Sequence, residues 1–108
     1  MIYEQRLYHA MPGRLPDLLA RFEHVTVPIW TRLGIRPVGF WTWLVGGSSH
    51  DLLYLLAWES MAEREQKWAT FQADPEWLEK RRLSEANGQL IISFSNSFLQ
   101  PTPFSTMR

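Results

Sequence analysis

Seven consecutive residues, Leu52 to Trp58, carry no charge and are apolar at nearly every position. A segment of this length and composition is a strand in the middle of a sheet, covered on both faces. It is far too short to cross a bilayer. Whatever this chain folds into must therefore supply one layer on each side of that strand.

Residues 2 to 10 alternate with a period of two, placing Ile2, Glu4, Arg6 and Tyr8 on one face and Tyr3, Gln5, Leu7 and His9 on the other. Met11-Pro12-Gly13 ends this strand. The spacing then changes to threes and fours through Leu15, Leu18, Leu19, Phe22, Val25, Ile29 and Leu33, one stripe of a helix. Pro28 lacks an amide proton and predicts a kink near Val27. Gly34 predicts a left-handed cap. Ile35 to Val45 and Leu52 to Trp58, separated by the Gly46-Gly47 loop, read as an antiparallel hairpin.

Ser60-Met61-Ala62-Glu63 is a capping box in which the Ser60 hydroxyl accepts from the Glu63 amide and the Glu63 carboxylate reaches back to the Ser60 amide. The helix it opens carries Trp68 and Phe71 inward. Asp74-Pro75 restarts a second short helix anchored by Trp77. Leu90 to Leu99 alternates again, and the prolines of Pro101 to Phe104 predict an extended tail. The element order β-α-β-β-α-β, spanning residues 1–108 as one domain, is that of an α+β, ferredoxin-like fold with a four-stranded antiparallel sheet. Its helices cover one sheet face. The adjacent large pairs Phe40 with Trp41, Leu55 with Leu56, and Ile91 with Ile92 leave the other face apolar as well. A second copy of the chain is the expected cover, packed sheet against sheet as a homodimer.

Composition excludes several classes. With 11 basic and 11 acidic residues, the formal net charge of zero argues against a nucleic-acid binder. The absence of cysteine removes disulfides, thiolate zinc sites and thiol nucleophiles. His9, His24 and His50 have no metal-ligand spacing, so no metal and no cofactor are expected. The first residues resemble neither a secretory signal nor a mitochondrial presequence, which points to the cytoplasm.

Tyr3-Glu4-x-Arg6-x-Tyr8 with Pro12-Gly13, Gly39-Phe40-Trp41, Ser60-Met61-Ala62-Glu63-Arg64-Glu65 with Trp68, Phe71 and Asp74-Pro75-Glu76-Trp77, and Leu99-x-Pro101-Thr102-Pro103-Phe104-Ser105 together resemble the NIPSNAP family. The resemblance runs nearly end to end. It implies a dimeric α/β barrel in which two ferredoxin-like sheets enclose a shared interior, and it implies no activity. The absent presequence and single domain copy fit the short bacterial members. Barrels of this kind also include cofactor-free monooxygenases, haem-degrading monooxygenases and small isomerases, an analogy at the level of fold.

Arg6 lies between Glu4 and Tyr8 on one strand face and can bridge both, as a structural polar ladder or as a set that binds a carboxylate or phenol. Phe40 and the Trp41/Trp43 pair face opposite ways, so one or the other looks into the barrel interior. Tyr54, Phe94, Asn96 and Phe98 are possible lining residues, with Asn96 the amide able to orient a polar atom. Ligand contact is thus expected from Glu4, Arg6, Tyr8, Phe40, Trp41 and Asn96, and no catalytic residue is assigned. The expected occupant is a small apolar or aromatic molecule. The alternatives are a cofactor-independent monooxygenase or isomerase acting on a phenolic or quinoid substrate, with Tyr8 or Glu4 handling the proton, and a scaffold presenting the Pro101 to Phe104 tail. Lys80-Arg81-Arg82, flanked by glutamates, reads as a solvated helix face.

Overall fold

In the computed structural model, which describes residues 1–108, the alternating N-terminal segment forms strand β1 (Ile2–Ala10). It lies inside a four-stranded antiparallel sheet with β2 (Arg36–Thr42), β3 (Asp51–Trp58) and β4 (Ile91–Leu99), in the order β2-β3-β1-β4. Helices α1 (Leu15–Arg21), α2 (Val27–Leu33), α3 (Met61–Ala73) and α4 (Pro75–Ser84) supply the second layer. This is the α+β, ferredoxin-like architecture. The molecule measures 45 × 37 × 19 Å, its shortest dimension matching one sheet and one helix layer. No helix is long and apolar enough to cross a membrane.

The apolar strand β3 divides cleanly between the two faces. Leu52, Tyr54, Leu56 and Trp58 are fully buried beneath the helices, whereas Leu53 and Leu55 on the other face are only half-buried. Register carries the same parity to its neighbours. Glu4 pairs with Leu56, Arg6 with Tyr54 and Phe40 with Tyr54, so all face the helices; Leu7 and Trp41 pair with Leu53 and face away. Trp41 lies flat over Gly39, where a Cβ would come within 2.7 Å of its ring. On β4 the outer face is Ser93, Ser95 and Ser97, opposite His9, Leu7 and Gln5. The apolar excess on the outer face therefore belongs to β2, β3 and β1. The expected pairing of Ile91 with Ile92 across two faces is replaced by a register shift, in which Ala10 pairs with Ile91 and His9 with Ser93, leaving Ile92 as an extra, exposed residue.

Pro28 does perturb the first helix, by widening it. Phe22–Thr26 forms a π-helical turn, with the Val27 amide donating to the Phe22 carbonyl, and α2 then begins with Pro28 in its first turn. The extra residue rotates the buried stripe. From the end of the turn onward Thr26, Ile29 and Trp30 point inward and Val25 is only half-buried; Leu19, ahead of the turn, is exposed. Trp30, outside the 3.6-residue stripe, thus sits at the centre of an aromatic cluster with Phe22, Phe40, Tyr54, Trp68 and Phe71. Gly34 closes α2 at φ 78°, a conformation that suits glycine.

Three local expectations are adjusted, and the Asp74 cap is met with one addition. Strand β2 ends at Thr42, the last residue paired with β3, and Leu44 and Val45 project almost fully into solvent. The Ser60 hydroxyl accepts from the Glu63 amide at 3.1 Å, but Glu63 reaches back to the Glu59 amide at 3.0 Å. Asp74 caps α4 by accepting from the Trp77 amide at 3.0 Å and also accepts from Arg32 at 2.9 Å. The tail is bent by a turn in which the Ser105 amide donates to the Thr102 carbonyl at 3.1 Å, with Pro103 at the second turn position.

The rotated stripe has a measurable consequence. In urea denaturation, Trp30→Ala is expected to cost about 3–5 kcal/mol, the scale of a large aromatic removed from a packed core. Leu19→Ala is expected to cost less than about 1 kcal/mol. Equal costs would contradict the burial of Trp30 and the exposure of Leu19.

Candidate functional site

Strand β1 carries three polar side chains into the layer beneath the helices, where each must find partners or impose a large penalty. Glu4 is completely buried. Its Oε1 accepts from Trp58 Nε1 and Arg64 Nε, both at 3.1 Å. Its Oε2 accepts from Arg6 Nη1 at 2.9 Å, Asn96 Nδ2 at 3.0 Å and Arg64 Nη2 at 3.1 Å. Burial alone would raise the Glu4 pKa, but the hydrogen bonds from Arg64, Asn96 and Arg6 outweigh it and hold the carboxyl below its ordinary value.

Arg6 extends the network. Its Nε donates to the Tyr54 hydroxyl at 2.8 Å and its Nη2 to the Tyr8 hydroxyl at 3.2 Å. The guanidinium lies 4.6 Å from the Trp68 ring centre and 5.0 Å from that of Phe94. Burial works against its charge; Tyr54, Tyr8 and Glu4 overcome that, and its pKa is raised. Tyr54, whose own pKa burial and Tyr8 push up, keeps its proton and donates a hydrogen bond to the Tyr8 oxygen at 3.0 Å. Tyr8 thus accepts from both Arg6 and Tyr54. Its own O–H is left to donate elsewhere.

That hydroxyl belongs to a residue lining a cleft of about 250 Å³ between β1, β4 and the helices. Trp68 and Phe71 of α3, Trp77 of α4 and Phe94 of β4 form aromatic walls, and Arg6, Arg21 and Arg81 are its charged members. An adjoining hollow of about 420 Å³ shares Arg21, Arg81, Ile91 and Phe94. Together they reach the size range of small-molecule sites. The larger single hollow, about 490 Å³, lies at the β2–β3 hairpin against Trp41, Trp43 and Leu53 and has no ionisable lining residue. No three His, Cys, Asp or Glu side chains are grouped so that they could hold a metal.

The six residues singled out in the sequence separate into four groups. Arg6 and Tyr8 line the cleft. Glu4 and Asn96 lie in the network behind it, bonded to each other. Phe40 faces the helices but packs on Phe22, Trp30 and Tyr54, away from the cleft walls. Trp41 is on the opposite face of the sheet. Arg64, Arg21 and Arg81 were not singled out. Arg64 stood inside the family-like motif after Ser60, and Arg81 was hidden in a basic run whose neighbours Lys80 and Arg82 do pair with Glu76 and Glu79 at the surface. For Arg21 the sequence holds no signal.

The NIPSNAP family model matches residues 3–106. The chain belongs to the NIPSNAP family. A family member of unknown function from Agrobacterium tumefaciens is similar over all of this chain and 94% of its own, with 28% identity and a TM-score of 0.85. An uncharacterised NIPSNAP-like domain protein from Burkholderia xenovorans aligns over 96% of this chain and 87% of its own, at 26% identity and a TM-score of 0.84. An antibiotic biosynthesis monooxygenase shares the fold, with 10% identity and a TM-score of 0.63 over 95% of this chain and 100% of its own. No curated protein matches it.

Within this NIPSNAP domain the Glu4 network sets both stability and its pH dependence. Glu4→Gln removes one charge and leaves the buried Arg6 and the half-buried Arg64 guanidinium groups facing a neutral amide, so a loss of about 3–5 kcal/mol is expected in guanidinium chloride denaturation. Because the native Glu4 pKa is lowered, its contribution is complete above the ordinary glutamate value near ~4.3 and falls away as the pH drops through the native value. The stability gap between wild type and Glu4→Gln should narrow below that pH. A constant gap from pH 7 to pH 3 would contradict the assignment.

Proposed function

We propose that this NIPSNAP domain works as a homodimeric α/β barrel that binds a small aromatic molecule in the cleft between β1, β4 and the helices. The observation that carries the reading is the Tyr8 hydroxyl. Arg6 and Tyr54 both donate to it, so its proton is available to an acceptor inside a cleft walled by Trp68, Phe71, Trp77 and Phe94. Aromatic walls with one oriented polar group are the usual composition of a small-molecule site. Phe40 and Trp41 have other work in this reading, the first in the core and the second on the outer face.

Binding is favoured over proton-transfer catalysis by the state of Glu4. Its carboxylate is saturated by five donors and sits behind the cleft, where it cannot exchange a proton without unpairing Arg6 and Arg64. The dimer is supported by shape and surface. The radius of gyration is 14.5 Å against about 13 Å for a globular chain of this length, as a flat half-structure requires. Trp41, Leu53, Leu55 and Leu7 remain on the uncovered side. Light scattering should return twice the 12.7 kDa chain mass.

The ligand reading is tested with benzamide, an aromatic ring bearing a carbonyl acceptor, followed through the indole N–H resonances of the six tryptophans. The Trp68 and Trp77 signals should shift with saturation, those of Trp41 and Trp43 should not, and Tyr8→Phe should weaken binding about tenfold. Shifts confined to Trp41 and Trp43, or none at all, would refute the cleft.

A further inference from the structure

Arg21 is the anomaly of this cleft. It is only 6% exposed, yet its sole hydrogen bond runs from Nη1 to Ser84 Oγ at 3.2 Å, and its Nε is buried with no partner. Arg6, equally buried on the same cleft, has three acceptors. A desolvated guanidinium with one neutral hydrogen bond is costly, and a protein that keeps one in a cavity wall leaves donors for something else. Thr26 and Trp30 also have unpartnered buried atoms, but neither lines the cleft or the adjoining hollow.

The other charges lining the cleft have the same sign. Arg81 reaches the cleft from α4, and the residues lining the smaller hollow include three arginines and no carboxylate. Glu85, on the adjoining hollow, stands 3.7 Å from Arg21 and 3.9 Å from Arg81, too far to hydrogen-bond either. Its single charge is divided between two cations. Burial of Arg21, offset only in part by Glu85, lowers the pKa of its guanidinium, the sign of a cation short of counter-charge. Arg6 is less available to a ligand, since its donors are already taken by Tyr54, Glu4 and Tyr8.

We propose that the cleft is a carboxylate site, taking a small planar aromatic acid whose carboxylate is received by Arg21 and Arg81 while its ring lies among Trp77, Phe94 and Trp68. Guanidinium and carboxylate match as planar forks, and each such bond is charge-assisted. The inference rests on the cleft being a ligand site and adds the ligand's charge. Trp77 already stacks on Arg21, with 5.4 Å between the guanidinium carbon and the ring centre, and holds it in place.

Benzoate and benzamide separate the two claims, being alike in ring and shape and different in charge. In the indole titration, wild-type protein should bind benzoate at least about tenfold more tightly than benzamide. Arg81→Gln, at a half-exposed position that does not endanger folding, should reduce that preference at least about threefold, and Arg21→Gln should abolish it. Equal binding of the two compounds by wild type overturns the carboxylate assignment and leaves the aromatic cleft standing. A preference for benzoate that Arg81→Gln leaves undiminished overturns the placement of the carboxylate, even if Arg21→Gln fails to fold. If neither compound moves the Trp68 and Trp77 signals, both readings fall.

Discussion

A single buried carboxylate organises this protein. Glu4 receives donors from its own strand through Arg6, from β3 through Trp58, from β4 through Asn96 and from α3 through Arg64. Three strands and a helix therefore converge on two oxygen atoms. A well-packed hydrophobic group in its place could be as stable, since a buried ion pair recovers little beyond its desolvation cost. What the carboxylate adds is register. Sliding β1 by one residue would move Glu4 and Arg6 together to the outer face and leave Trp58, Arg64 and Asn96 without that acceptor.

The cleft inherits its chemistry from that hub. Because Glu4 holds Arg6 in one orientation, Arg6 and Tyr54 can both point their protons at Tyr8. The aromatic residues of α3 and α4 would be ordinary core if the sheet ended at β1. Strand β4 extends the sheet beyond the cover of the helices, leaving Phe94 and Phe98 partly exposed, and the gap between that strand and the helices is the cleft. Fold and site thus share one cause. The same extension places Arg21, whose buried Nε has no partner, at the cavity wall.

Most of the architecture was legible because it rests on periodicity. The strand parity of Ile2 to Ala10, the capping box at Ser60, the Asp74-Pro75 helix start and the Gly34 cap each depend on residues close together in the chain. The first helix was less legible. A stripe extrapolated at 3.6 residues per turn passes over Thr26 and Trp30, because one additional residue in the turn before Pro28 shifts the phase by about 100°. The β4 bulge at Ile92 has the same origin. An inserted residue is invisible to a pattern that assumes a fixed period.

The sequence by itself determined the order of elements, the face on which Glu4, Arg6 and Tyr8 lie, and membership of the NIPSNAP family, since all three depend on neighbours along the chain. Only the tertiary structure decided which side of the sheet the helices cover. It placed Trp41 and Phe40 on different faces and outside the cleft, and brought Arg21 and Arg81 to its wall. Those placements depend on contacts between residues far apart in sequence, such as the 63 positions from Arg21 to Ser84. No local propensity encodes a partner at that distance; packing and the need to satisfy buried charge do.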